Sequence, residues 1–388
     1  MTREGSRRVC SGRAPPPSVA GIMTASGTPH FPDVTVIVGD PRLPDVTKAN
    51  ARYSPEDLEA IARMKVALGR LAAYRFAYLD DHTRVIAELG SDPPAFVLNL
   101  CDTGFGNVAS RELHVPSLLE MLHIPYSGSP PACLACCYDK ALVRAVASAH
   151  GIPVPAEVFV AGCDARALPP IAFPALIKPN TGDGSVGITR DALVHDAREA
   201  QAYLDRLRHE LPGRDALVQE FLAGAEYAVG LIGNPEDGFT LLPLLEVDYS
   251  GLDPGLPRIL SYESKTVPDS PYWQHVRYRE ARLEPDRVAP LVRAATLLFG
   301  RLGCRDYSRF DFRCGADGVA RLLEVNPNPA WCWDGKLQLM AGFAGWDEAA
   351  LFERILRTAQ QREAGTRQTW SRGTVSCHSR VKMQAWPS

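Results

Sequence analysis

Apolar and polar positions fall into short blocks along the first third of the chain. Two apolar runs, Val34-Thr-Val-Ile-Val38 and Ala95-Phe-Val-Leu-Asn-Leu100, are bounded by Gly, Pro and Asp, and a helical spacing occupies the stretch near 55–76 between them. Buried strands separated by a helix predict a parallel αβ arrangement. The next helix has legible ends. Asp139 can cap it, Leu142, Val143 and Val146 share one face, Gly151 stops it and Pro153 prevents continuation.

From 172 onward the pattern changes to strands joined by Gly and Asp turns, with one helix near 192–210 and another near 286–302. The second carries Val288, Leu291, Val292, Ala295, Leu298, Phe299 and Leu302 on one stripe, with Gly303 at its end. This is an α+β pattern rather than a doubly wound one. A last amphipathic helix runs about 347–362. The expected organisation is a tail at 1–30, an αβ domain at 31–130, a central domain at 131–218, a C-terminal domain at 219–362 and a second tail at 363–388. Both tails are polar and basic and are expected to be disordered. Met23 stands shortly before the first strand and is a candidate start.

Charge sharpens this division. The 388 residues hold 42 Lys plus Arg and 45 Asp plus Glu, yet residues 1–30 carry net +3 and 361–388 net +4, leaving −10 on the body. An acidic body excludes a general nucleic-acid binder, which needs a basic face to neutralise phosphates. No run approaches the roughly 18 apolar residues of a membrane helix, and the N-terminus lacks the apolar stretch of a signal peptide, so a cytoplasmic protein is expected. Of 10 cysteines only Cys133, Cys136 and Cys137 cluster. No second pair follows at metal-site spacing, and packing as small apolar residues is the expectation.

Two segments carry candidate chemistry. Lys178-Pro-Asn-Thr-Gly-Asp-Gly-Ser-Val-Gly187 fits a dinucleotide fingerprint only formally, because no helix is expected to open at its last glycines. Val186 to Thr189 reads as extended, so the loop joins two strands. It is either a flap whose N–H groups cover phosphates, with Lys178 as a fixed cation, or an ordinary hairpin. The second segment, Tyr307 to Arg313, Gly315-Ala-Asp-Gly318 and Arg321 to Asn326, reads as a hairpin. If Cys314 pairs with Val319, Arg309 falls opposite Glu324 and Asp311 opposite Leu322. Arg309, Asp311, Glu324 and Asn326 then share a face, and two carboxylates with an amide oxygen suit Mg²⁺. A surface Arg with carboxylate partners is the simpler alternative. The apolar residues around them argue for a covered hairpin, where unpaired carboxylates are costly.

In order along the chain, Asp139-Lys140, Lys178 with its glycine loop, Gln219-Glu220-Phe-Leu-Ala-Gly-Ala-Glu226, Tyr262-Glu-Ser-Lys265, Arg309-Phe-Asp311 and Glu324-Val-Asn326 resemble the ATP-grasp superfamily, in its D-alanine–D-alanine ligase branch. Pro116 to Ser129 resembles that branch too, and the match covers roughly 95–345. The resemblance implies an N-terminal parallel αβ domain followed by central and C-terminal α+β domains, with ATP held between the last two. By matching position, Lys140 and Lys178 contact ATP, the loop with Gly184 and Ser185 covers the phosphates, and Gln219, Glu220 and Leu222 hold adenine through the backbone. Glu226 binds the ribose, Lys265 the phosphates, Asp311, Glu324 and Asn326 the Mg²⁺ (or Mn²⁺), and Arg309 the oxyanion. The implied chemistry is phosphorylation of a carboxylate and attack of an amine on the acylphosphate. A homodimer is also suggested, with small amino acids or carboxylates as the partners.

The departures fall on the substrate side. The first βα turn reads Gly39-Asp-Pro-Arg-Leu-Pro-Asp45 and offers no Glu for a substrate ammonium, Thr266 follows Lys265 where Tyr is frequent, and Pro-Asn-Pro-Ala-Trp-Cys-Trp-Asp-Gly-Lys336 replaces a Gly and Ser-rich stretch. Trp331 and Trp333 either pack or reshape the pocket. Three readings follow: a ligase making D-Ala-D-Ala, the same chemistry on another pair, and a non-catalytic ATP-binding regulator. Retained Arg309 speaks against the third.

Overall fold

The computed structural model describes residues 29–164 and 170–373, so Met23, most of the N-terminal tail and residues 374–388 lie outside the described residues. The N-terminal unit contains β1 (Asp33–Ile37), α1 (Pro55–Gly69), β2 (Arg75–Leu79), α2 (Val85–Ser91), β3 (Val97–Asn99) and α3 (His114–Met121). Its strands run parallel in the order β2-β1-β3. A reciprocal capping box between Ser54 and Asp57, with Pro55 first in the helix, starts α1. The helix stops at Gly69 rather than near 76, because Arg75–Leu79 is an edge strand with alternating exposure.

Next come α4 (Pro131–Tyr138) and α5 (Lys140–Ala149). Asp139 caps α5 by accepting from the Leu142 N–H at 2.9 Å, as expected. The buried face differs from the expected one: Val143 and Ala147 are buried, while Leu142 is 47% exposed. These helices share a core with Val229, Phe299 and Phe310 of the C-terminal unit. The central unit proper consists of β4 (Glu157–Val160), β5 (Ala175–Pro179), β6 (Leu193–Val194), α6 (Ala197–Glu210) and β7 (Ala216–Glu220), an antiparallel sheet in the order β4-β7-β5-β6. Tyr203, Leu204 and Leu207 of α6 pack on Ile177 and Val218.

The C-terminal unit contains β8 (Glu226–Asn234), β9 (Gly238–Leu241), β10 (Leu245–Asp248), α7 (Glu263–Thr266), α8 (Pro271–His275), β11 (Arg277–Glu280), α9 (Pro285–Arg301), β12 (Tyr307–Cys314), β13 (Ala320–Asn326), α10 (Lys336–Phe343) and α11 (Glu348–Gly373). Its antiparallel sheet runs β11-β10-β8-β12-β13, with β9 paired to β8. The central strand β8 is buried along its whole length. α9 packs on one face through Leu291, Ala295, Leu298 and Phe299. On the other face Leu337, Met340 and Phe352 join Val36 and Leu98 of the N-terminal sheet in one core. Each such side chain contributes roughly 1.5–3 kcal/mol relative to exposure. α11 continues to Gly373, past the expected end at 362.

The hairpin register differs from the simple expectation in an instructive way. Cys314 pairs with Ala320 rather than Val319, and a bulge between Asp311 and Phe312 adds a second one-residue offset. Asp311 therefore stands opposite Glu324, and Arg309 opposite Asn326. One offset alone would turn every β13 side chain to the wrong face. Two restore the parity, so the four residues keep their common face.

Candidate active site

The common face of β12 and β13 forms the floor of the site. The Arg309 guanidinium grips Asp311 with Nε at 2.9 Å and Nη2 at 3.1 Å, and Lys336 Nζ adds a third bond at 3.2 Å. Asp311 is thus paired, contrary to the expectation of a carboxylate awaiting only metal. Burial alone would raise its pKa; Arg309 and Lys336 outweigh it and hold the carboxyl below its ordinary value. Glu324 differs, for it makes no hydrogen bond or ion pair among the described residues. The fields of Lys140, Lys178 and Lys265 overcome its burial and keep it ionised. The Asn326 amide nitrogen is buried and also without a partner.

The roof comes from the central unit. Lys140 opens α5 and donates to the Gly182 carbonyl at 2.5 Å, while the Asn180 side chain accepts from the Ala141 N–H at 2.9 Å. These bonds fix the glycine loop to the start of α5. The loop joins β5 to β6, as read from the sequence, but Val186 and Gly187 form a turn instead of an extended segment, and one 3-10 turn, Arg190–Ala192, capped by Thr189, leads into β6. At Gly187, φ is +77° and an added Cβ would sit 2.8 Å from Pro179 Cγ, so the loop needs glycine for both conformation and close approach. Ser185 donates to the Leu260 carbonyl at 3.0 Å, and Tyr262 donates through its N–H to Ile188 at 2.7 Å. A Cβ on Gly184 would meet Thr47 at 3.2 Å. The loop therefore lies closed against both α7 and the N-terminal unit.

Lys178, at the end of β5, is 5% exposed and has no ion-pair or hydrogen-bond partner among the described residues. Burial, assisted by the nearby Arg144 guanidinium, pulls its pKa from 10.5 to about 7. Lys265 on α7 is also unpaired, at the rim.

The adenine-side residues divide. The Gln219 side chain donates to Glu157 at 2.9 Å, and Glu220 accepts from the Ala156 N–H at 3.1 Å and pairs with Arg321 at 3.3 Å. The N–H groups of Glu220 and Phe221 bond to Ala156 and Pro174. Leu222 is the second residue after the strand and is buried. Its backbone groups enter no backbone hydrogen bond among the described residues. Glu226, 4% exposed, accepts from the Tyr249 hydroxyl at 2.9 Å and pairs with Arg313 at 3.3 Å and Lys336 at 3.6 Å.

Sequence reasoning missed Lys336 as a site residue and missed the N-terminal wall. Lys336 had a signal, a cation where the chain turns into a helix beside the hairpin. In the wall, Asp45 is 1% exposed; one oxygen accepts from Thr47 and the other is unpartnered. Burial raises the Asp102 carboxyl to about 6. Glu112 accepts from Asn328 at 2.9 Å, and Asn328 from the Tyr307 hydroxyl at 2.8 Å. Trp331 donates to the Leu100 carbonyl at 2.8 Å beside this wall, whereas Trp333 lies outside, 45% exposed, with Arg63 at 4.7 Å over its ring. The two tryptophans tie the 327–335 segment to the N-terminal unit.

Comparison with known proteins gives the family. Residues 160–357, about half of the chain, match the family described as D-ala D-ala ligase C-terminus. The chain belongs to the D-alanine–D-alanine ligase family. It is an ATP-grasp enzyme, an ATP-dependent ligase forming a carbon–nitrogen bond. It is similar to an uncharacterized protein, y4sG, of Sinorhizobium fredii, 30% identical over 256 residues (66% of this chain, 72% of the relative). It also resembles the D-alanine–D-alanine ligase of Haemophilus influenzae, 28% identical over 253 residues (61% and 78%). In fold it resembles the Bacillus anthracis D-alanine–D-alanine ligase complexed with ATP, with a TM-score of 0.64, 19% identity and coverage of 87% and 99%. The VanG D-Ala:D-Ser ligase of Enterococcus faecalis gives 0.61 at 16% identity, with 85% and 99% covered. No helix among the described residues is long and apolar enough to cross a membrane.

Proposed function

We propose that this enzyme joins D-alanine to D-alanine in the cytoplasm, as a step toward peptidoglycan, using ATP and releasing ADP and phosphate. The observation that carries the reading is the cleft itself. Lys178 and Lys265 stand unpaired above a floor that holds Arg309, Asp311, Glu324 and Asn326. Two unpaired cations, Lys178 buried and Lys265 at the exposed rim, fit a polyphosphate, and Lys140 holds the glycine loop over the same space. Leu222 offers the strand-end backbone for adenine.

The donor set fits Mg²⁺. Glu324 and Asn326 supply a carboxylate and an amide without internal partners, both hard-oxygen ligands. Mg²⁺ bound there supplies charge neutralisation for the transferred phosphoryl group. The protein's own residues do the rest. Lys178 and Lys265 orient the phosphates and the closed glycine loop keeps water out. A carboxylate attacks the terminal phosphorus, its oxygen forming the new bond as the bond to ADP breaks. The substrate amine then attacks the acylphosphate carbon, and Arg309 donates to the developing oxyanion. Phosphate leaves, and the amine loses a proton.

A second reading keeps the chemistry and changes the acceptor. It is favoured by the acidic wall of Asp45, Asp102 and Glu112 together with the Trp331 segment, which suit a substrate with an additional cationic or polar group. Phosphate release measured over D- and L-amino acids, singly and in pairs, with product mass spectrometry, tests both. Release with D-alanine and a D-Ala-D-Ala mass supports the first reading; release only with another pair supports the second. Absence of turnover across the panel, with nucleotide bound, removes both.

A further inference from the structure

Lys336 is a charged group of the floor with no part in the chemistry described above. Its side chain is 11% exposed, and its ammonium lies 3.2 Å from Asp311 and 3.6 Å from Glu226, themselves 4% and 6% exposed. Lysine is seldom buried unless paired, and this one is paired twice. It is also the first residue of α10. A cation there faces the positive end of the helix dipole, a placement that helix stability disfavours.

The backbone holds it in place. At Gly335 an added Cβ would lie 2.8 Å from the Ala330 carbonyl and 3.0 Å from that of Cys332, so the turn into α10 is tight. One residue on, Leu337 reaches to within 3.1 Å of where a Cβ on Gly230 of β8 would stand. The helix start is thus fixed on the floor of the sheet, and the ammonium cannot be carried far from Asp311 by backbone movement.

The charges around it are already divided. Asp311 is satisfied by Arg309 on two atoms and by Lys336 on a third contact. Glu324 and Asn326, next along the same face, have no partner. A divalent ion drawn to Glu324 and Asn326 meets open oxygen donors; a second one drawn to Asp311 must displace two buried cations.

We propose that Lys336 is a built-in cation of the phosphate site. It takes the place of a second metal ion beside Asp311, so that the enzyme binds one divalent ion per nucleotide, on Glu324 and Asn326. This rests on the proposed nucleotide site, and the experiment separates the two. Mn²⁺ is titrated by electron paramagnetic resonance into the whole protein saturated with a non-hydrolysable ATP analogue, whose own binding is followed by calorimetry. Wild type is expected to hold one Mn²⁺ per bound nucleotide, Lys336→Arg one, and Lys336→Met two, because Asp311 then keeps Arg309 alone and a second ion has one buried cation to displace instead of two. Thermal unfolding checks that each variant is folded; should Lys336→Met not fold, Lys336→Gln takes its place in the same titration. Two Mn²⁺ in wild type, or the same count in wild type and the neutral variant, overturns the role of Lys336 while leaving the nucleotide site standing. No binding of the analogue by wild type overturns both.

Discussion

Asp311 and Glu324 face each other directly across the β12–β13 hairpin, but one is clasped by Arg309 and Lys336 and the other is left open. Two carboxylates on one floor thereby receive different tasks from their neighbours. Asp311 organises the cations, and Glu324 is the stronger candidate for direct metal ligation.

Glu324→Gln is therefore expected to abolish Mg²⁺-dependent ATP turnover with little loss of fold. Asp311→Asn is expected to remove turnover too, and in addition to destabilise the protein, because it leaves Arg309 and Lys336 facing one another without their shared counter-charge. Turnover assays and thermal unfolding on both variants check this. Equal stability of the two would contradict the division of tasks.

Arg309→Ala is expected to slow ligation by about 10²–10³, the scale for one oxyanion donor. Nucleotide affinity should change little, since Lys140, Lys178 and Lys265 remain. Calorimetry with an ATP analogue beside steady-state rates separates the two effects. A collapse of affinity would make Arg309 a phosphate ligand or a structural residue instead.

The Arg144 side chain, 1% exposed, pairs with Glu157 at 2.7 Å and donates to the Leu323 carbonyl of β13 at 2.7 Å. It joins the central sheet to the β12–β13 hairpin at the bulge. Glu157→Leu leaves a buried guanidinium short of its counter-charge and is expected to cost about 3–5 kcal/mol. The double variant Arg144→Met with Glu157→Leu should recover most of that loss. Denaturant unfolding of the three proteins is the check, and equal stability of single and double variants would show that the pair is not coupled.

Much of this was legible in the sequence because it is local. Asp139 announces its cap by residue type, the stripe on α9 by period, and the hairpin by its Gly-Ala-Asp-Gly turn. What was not legible depends on contacts far apart in the chain. The bulge that sets Asp311 opposite Glu324 has no signature of its own, and the β2 edge strand alternates too weakly to be told from a helix end. The partners of Asp311 show the same limit: Arg309 is two residues away and was found, whereas Lys336 is 25 residues on and reaches it only because α10 packs on β8. The acidic wall was missed since Asp45, Asp102 and Glu112 belong to the N-terminal unit, whose contact with the 327–335 segment, Glu112 to Asn328, spans 216 residues.

Lys178 supplies a pH dependence with a definite sign. In the free protein its pKa lies near 7, so the ammonium is largely charged at pH 6 and largely neutral at pH 8. Bound polyphosphate favours the charged form and raises that pKa, so binding above pH 7 must take up a proton. The dissociation constant of an ATP analogue is therefore expected to rise between pH 7 and 9, by up to about tenfold per unit. The free protein should move the other way. An unfolded chain keeps the lysine charged up to about its ordinary 10.5, so stability is expected to increase from pH 7 toward that value. Lys178→Arg, which stays charged throughout, should remove the pH dependence of binding. Calorimetry across this range in two buffers of different ionisation enthalpy measures both the affinity and the proton taken up. A flat affinity with no proton uptake in wild type would mean that Lys178 does not meet the phosphates.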